Sequence, residues 1–270
     1  MGPVFYGRKL KVMDIALITG GATGLGLEIA KLFLQDNIPV LIVSRDSKRL
    51  KYIREKLKSF YKSEIFILAK DLTFENSYKE IYDYTKKNKL KVKYLINNAG
   101  LGCFGYSHKI NMGKDMDMLK VNIIALTALT KLFTRDMIKE KEGYILNISS
   151  LGAFMPGPFI ASYYASKSFI LSYSEAISVE LKKYNIKVSA LCVGPVDTDF
   201  QNKAGISKNK SLKLFCKSPK NVAKKSYIGM KKGKTIILPG ISDKTLPFMI
   251  RFMPRKLIRR IASLSQNKCF

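Results

Sequence analysis

Ser150 stands thirteen residues before Tyr163, and Tyr163 stands four residues before Lys167. If the segment from Ser162 onward is helical, Tyr163 and Lys167 share one face about a turn apart, close enough for an ammonium to act on a phenol. That is proton-transfer chemistry. A tyrosine hydroxyl titrates near about 10 by itself, so a neighbouring positive charge is what makes it a usable acid or base near neutrality. Ser150 closes the run Asn147-Ile148-Ser149-Ser150 after a strand-like stretch, 144–148, and from there it can hold a substrate carbonyl beside the phenol. Tyr and Lys four apart occur on many helices without consequence, so the weight of the argument lies in the elements upstream.

Residues 14–19 form a short apolar strand, followed by Gly20-Gly21-Ala22-Thr23-Gly24-Leu25-Gly26 and an amphipathic run over 27–35. Strand, glycine turn and helix make the first half of a dinucleotide site: the turn is tight, the backbone must approach a pyrophosphate, and the helix N-terminus offers free N–H groups to the anion. A second apolar strand, 39–43, ends in Ser44-Arg45-Asp46, where an NAD enzyme places an acid on the ribose hydroxyls. Ser44 and Arg45 stand there instead, and an arginine suits a 2′-phosphate. Asp46 is assigned as the cap of a helix over 47–60.

Further strands are expected at 65–68, ending in Asp71-Leu72, and at 94–96, running into Asn97-Asn98-Ala99-Gly100. Helices are expected at 78–87 and, as one long element containing Asn122, at 116–138. Later strands are expected at 186–193, leading into Gly194-Pro195-Val196-Asp197-Thr198, and at 235–238. Alternating strands and helices with short connections predict a single Rossmann-type, doubly wound parallel sheet of about seven strands with helices on both faces. The expected division is an N-terminal extension (1–13), the Rossmann domain (14–240) and a short basic helical extension (241–270).

At 270 residues the chain can bury a full core without disulfides or metal. Its four cysteines show no paired or metal-ligand spacing and His108 is its one histidine. This argues against a zinc site, a disulfide framework and a Ser-His-Asp triad, and suits a reducing, cytoplasmic setting. No apolar run reaches the roughly 18 residues of a membrane span, and Tyr6 stands where a myristoylation signal needs Ser or Thr. The net charge is +28, and residues 201–270 hold eighteen Lys or Arg against one acid, Asp243. Such a surface suits an acidic partner, either an anionic membrane or an acidic acyl carrier, while no motif supports nucleic acid.

In this order the pieces resemble the short-chain dehydrogenase/reductase family: Thr19-Gly20 with Gly24 and Gly26, Asp71-Leu72, Asn97 to Gly100, Asn122, Ser150, Tyr163 with Lys167, and Gly194 with Thr198. The resemblance implies that Gly20, Thr23, Gly24, Leu25 and Gly26 line the pyrophosphate of NADP(H), with Ser44 and Arg45 on its 2′-phosphate. Asp71 and Leu72 would border the adenine, Asn98, Ala99 and Gly100 the ribose, and Val196 and Thr198 the nicotinamide carboxamide. Ser150 would position the substrate carbonyl, Tyr163 would transfer the proton, Lys167 would hold the ribose and lower the Tyr163 pKa, and Asn122 would hold a relay water. Val193 departs from the proline the family commonly carries before the loop glycine.

The implied activity is reduction of a lipophilic ketone, such as a 3-oxoacyl chain, by a protein that forms a homodimer or tetramer. The alternative is a non-catalytic NADP-binding regulator or an interaction module on the same scaffold. A substrate lid is expected near 200–215. The segment around Met249, Phe252, Leu257 and Ile261, interleaved with arginines, either closes the substrate pocket or lies on a membrane.

Overall fold

The computed structural model describes residues 12–200, 204–205 and 216–267. Seven parallel strands run β1 (Met13–Thr19), β2 (Val40–Ser44), β3 (Ile65–Ala69), β4 (Leu90–Asn97), β5 (Gly143–Ile148), β6 (Ile186–Leu191) and β7 (Ile236–Ile237), in spatial order β3-β2-β1-β4-β5-β6-β7. The order reverses between β1 and β4, which opens a crevice at their C-terminal ends. β1 begins at Met13, so the expected N-terminal extension falls almost wholly outside the described residues.

The strands read as continuous apolar runs because both faces are covered. Ala16 and Ile18 of β1 point toward α1 (Gly24–Gln35) and α2 (Ser47–Lys58), together with α7 (Pro219–Lys231). Ile15 and Leu17, one residue out of phase, point to the opposite layer of α3 (Ser77–Lys87), α5 (Leu126–Glu140) and α6 (Ala161–Leu181). A one-residue slip would exchange these layers, so burial on two sides fixes the register. Phe33 of α1 is fully buried between the rings of Tyr94 and Tyr227, with centroids 5.0 and 4.9 Å away. The Tyr227 hydroxyl donates to Asp36 Oδ2 at 2.6 Å and seals the contact between α7 and the end of α1.

The expected long helix over 116–138 is interrupted. α4 (Met112–Leu119) passes through a π-helical turn, Lys120–Ala125, before α5 resumes. The π-turn carries Asn122 and swings its side chain onto the 101 backbone, a bend that the apolar periodicity does not announce. Asp46 does cap α2, accepting from the Arg49 N–H at 2.9 Å.

Two basic helices follow the sheet: α8 (Ile241–Phe252) and α9 (Arg255–Asn267). Asp243, in the first turn of α8, fastens that helix to the body. It accepts from the Gly240 N–H at 2.9 Å, is 2 % exposed, and forms an ion pair with Lys217. Lys217 in turn hydrogen-bonds through its backbone to Pro195 O at 2.9 Å and accepts from Asp197 N at 3.0 Å.

Candidate active site

A cleft of about 540 Å³ lies over the C-terminal ends of the strands at the β1–β4 crevice. Every site residue expected from the sequence lines it except Gly26 and Asn122, which stand behind its wall.

At one end the backbone of the glycine turn is held against the end of β4. Thr19 Oγ1 accepts from the N–H groups of Asn98 and Ala99, both at 3.0 Å, and the Asn98 amide donates to Thr19 O at 2.9 Å and Gly20 O at 3.1 Å. Gly26 is required by this joint: a Cβ there would lie 2.4 Å from Asn98 Nδ2 and 2.7 Å from Gly20 O. Gly24 has φ +53°, and its Cα faces Thr198 so closely that a Cβ would meet Thr198 Cγ2 at 3.0 Å. The loop after β6 thus reaches across to the glycine turn.

Ser44 and Arg45 line the same end of the cleft, while the adjacent acid, Asp46, is used as a helix cap. This fits a group bearing a 2′-phosphate better than one with a free ribose diol. Asp71 borders the cleft with Leu72, its carboxylate accepting from Thr73 N at 3.0 Å and Thr73 Oγ1 at 2.9 Å.

At the other end α6 presents Tyr163 and Lys167 on one face, with the Lys167 Nζ 5.5 Å from the Tyr163 ring centre. The ammonium donates to Ile148 O at 2.8 Å, and Ser149 Oγ donates to Lys167 O at 2.8 Å, so the end of β5 positions Lys167 from both sides. Burial lowers the Lys167 ammonium from its ordinary 10.5 to about 8. The same burial pushes the Tyr163 phenol above its ordinary 10; neighbouring Tyr164 adds to the rise and a hydrogen bond with Ser150 opposes it. Among the protein's own groups the net shift of Tyr163 is therefore upward, opposite to the lowering expected from Lys167. Ser150 Oγ also accepts from the Gly152 N–H at 3.1 Å, which orients it.

Asn122 acts through others. Its amide donates to Leu101 O at 3.0 Å and Ser166 Oγ at 3.0 Å and accepts from Leu101 N at 2.9 Å; Ser166 Oγ donates to Tyr163 O at 2.7 Å. Both amide N–H groups are committed, leaving one acceptor lone pair and the main chain for the water-holding role expected of it.

Sequence reasoning placed Phe200 at the start of the expected lid and missed the rest of the apolar wall of the cleft: Met155, Ile160, Tyr164 and Leu246. Tyr164, next to Tyr163 in the chain, lines the cleft as well. The one signal for it was a pair of glycines: a Cβ at Gly157 or Gly152 would meet the Tyr164 ring at 2.4 and 2.9 Å. Phe200 packs near Tyr163 with ring centres 5.6 Å apart, whereas most of the expected lid, 201–203 and 206–215, lies outside the described residues.

Residues 14–209 match the family described as short chain dehydrogenase. The chain is 32 % identical over 187 residues to mouse (Mus musculus) 17-beta-hydroxysteroid dehydrogenase type 3, covering 68 % of this chain and 60 % of that one. It is 31 % identical to the Schizosaccharomyces pombe NADPH-dependent 1-acyldihydroxyacetone phosphate reductase, over 72 % of this chain and 64 % of the other. A very-long-chain 3-oxoacyl-CoA reductase of Phaeosphaeria nodorum is 32 % identical over 65 % and 53 %. The chain thus spans between about half and two thirds of the length of these curated relatives. Among solved structures, a short-chain dehydrogenase from Sphingobium yanoikuyae in complex with NADPH superimposes with a TM-score of 0.78 at 22 % identity, over 90 % of this chain and 96 % of that one. With that fold, the family match and the Ser150, Tyr163, Lys167 cluster in one cleft, the chain belongs to the short-chain dehydrogenase/reductase family.

Proposed function

We propose that the protein is an NADP(H)-dependent carbonyl reductase acting on a lipophilic ketone. The observation that carries this reading is a single cleft with Arg45 at one end and Ser150, Tyr163 and Lys167 at the other. The cofactor, when bound, supplies the hydride. The chain's own residues do the rest. Ser150 hydrogen-bonds the substrate oxygen, the protonated Tyr163 donates to it as negative charge develops, and Lys167 holds positive charge below the phenol. Asn122, through Ser166 and the 101 backbone, is assigned as a positioning residue for Tyr163. Water is kept from the reacting carbonyl by Met155, Ile160, Phe200 and Leu246, whose apolar surface also suits a substrate with an acyl chain or fused rings.

NADPH is named by the S. pombe relative, and the substrates named by the relatives are ketones or alcohols on lipids and steroids; these names support the class and do not choose within it. Exposed Phe169 and Val179 on α6 and Ile124 in the π-turn are the surface that a homodimer or tetramer would cover. A cytoplasmic protein in peripheral contact with a membrane or an acyl carrier completes the reading. The test is turnover of ketones and secondary alcohols followed by NADPH absorbance, with Tyr163→Phe as control. Turnover that falls about 10²–10⁴-fold while NADPH still binds supports it. Retention of a tenth or more of the activity sinks the proton-donor assignment and leaves a cofactor-binding regulator.

A further inference from the structure

The two C-terminal helices carry their apolar residues on two sides. Ile250, Met253 and Ile258 turn inward and line a groove of about 280 Å³ with Phe154 and Pro156, just beyond the Ser150 turn. Phe248, Met249 and Phe252 of α8 face outward at 67, 58 and 72 % exposure, with the Phe248 and Phe252 rings edge to face at 5.1 Å. Leu257, Ile261 and Leu264 of α9, spaced one helical turn apart, are 45, 48 and 62 % exposed. Six large apolar side chains are therefore open to solvent within residues 248–264, too many on consecutive helices to be incidental surface.

Their borders are uniformly basic. Lys256, Arg259 and Arg260 are exposed, as are Arg251 and Arg255, which also line the groove, and Asp243, the sole acid after Gln201, is buried in its pair with Lys217. Among the described residues no helix is long and apolar enough to cross a membrane. An exposed apolar stripe flanked by cations on a helix too polar to span suits a helix lying in the headgroup layer. An acidic protein would engage the cations but would leave the phenylalanines without a hydrophobic counterpart.

We infer that the outward faces of α8 and α9 form a docking surface for an anionic phospholipid bilayer, with Phe248 and Phe252 entering the acyl boundary and Lys256, Arg259 and Arg260 meeting the headgroups. This makes the peripheral-contact part of the reading above specific, while standing independently of the reductase chemistry. Leu246, on α8 immediately before the exposed phenylalanines, lines the active-site cleft. Docking through α8 therefore sets the mouth of the cleft against the bilayer, where a lipophilic substrate resides.

The chain contains no tryptophan, so Phe252→Trp installs a single fluorescent reporter on this surface. With phosphatidylcholine vesicles containing phosphatidylglycerol at low salt, the protein should co-sediment at least about tenfold more strongly than with phosphatidylcholine alone, and lose this at about 0.5 M salt. The emission of the introduced indole should shift to the blue and be quenched by brominated acyl chains. Lys256→Gln with Arg259→Gln and Arg260→Gln, or Phe248→Ser with Phe252→Ser, should each lower partitioning about tenfold. Melting temperature and turnover of a water-soluble ketone should not move, since these side chains are exposed and outside the cleft. No sedimentation with anionic vesicles at low salt overturns the inference. So does sedimentation without a blue shift, or binding by the serine variant equal to wild type, since both describe a charge-only contact such as an acidic carrier makes. Loss of ketone turnover in the wild type with vesicle binding intact would strike the reductase reading alone.

Discussion

Gly24 and Leu246 line the same cleft from opposite ends of the chain, and replacing them should do different kinds of damage. Gly24 sits at φ +53° against the Thr198 side chain, and Gly26 behind it against the Asn98 amide and Gly20 O, so that end is built from two glycine backbones with neighbours at contact distance. A side chain added at Gly26 meets backbone and a fully committed amide, and one added at Gly24 meets the Thr198 side chain in a backbone conformation that disfavours it. The Leu246 end is built from Met155, Ile160, Tyr164 and Phe200, apolar groups that other residues of similar size can replace. The cofactor end is thus specified by conformation and the substrate end by volume. One can be read as a motif and the other can change in volume without disturbing the first.

The sharpest contrast lies within one dipeptide. Tyr163→Phe should cost about 10²–10⁴-fold in turnover, whereas Tyr164→Phe, at the neighbouring ring, should cost about tenfold at most. Steady-state rates on the same ketone check both. Comparable losses from the two would dissolve the distinction between proton donor and pocket wall.

A pH profile separates the two groups at the catalytic end. Lys167, held by burial at about 8, is protonated below that pH and neutral above it, while Tyr163, pushed above 10, stays protonated throughout. In the reducing direction kcat/KM should therefore be flat below about pH 8 and fall about tenfold per unit above it. A profile still flat at pH 10 would show that the Lys167 charge is not needed.

Arg45→Ala tests the cofactor end, where it should raise KM for NADPH by about 1.5–3 kcal/mol, roughly ten- to 150-fold, and leave KM for NADH nearly unchanged. Equal changes for both would remove Arg45 from the 2′-phosphate. The smallest effects compare the two walls by stability. Gly26→Ala should lower the unfolding free energy by about 1–3 kcal/mol through overpacking and weaken NADPH binding. Leu246→Ala, at a partly exposed position, should cost less than about 1.5 kcal/mol and change KM for long-chain ketones only. Denaturant unfolding and NADPH titration of both variants measure the difference; an unfolding cost for Leu246→Ala equal to that for Gly26→Ala would break the comparison.

What was legible in the sequence follows the same division. The Asp46 cap, the glycine turn and the Tyr163–Lys167 face are local relations, decided within a few residues by helix pitch and backbone sterics, and they appear where spacing places them. The break of the 116–138 helix at the π-turn was not legible, because Asn122 is drawn out of register by Leu101 and Ser166, partners 21 and 44 residues away. Nor was the joint of Thr19 with Asn98 and Ala99, or the Lys217–Asp243 pair that ties the tail to the loop after β6.

Residue order and spacing were enough for the parallel sheet, the succession of its elements and the cleft residues whose types are dictated by backbone geometry or proton transfer. Packing in three dimensions set how deeply Tyr163 and Lys167 are buried, and so that desolvation moves their pKa values in opposite directions. It also set which apolar residues of the tail point inward to the groove and which outward. Burial depends on every element packed around a group, and no local spacing encodes that sum.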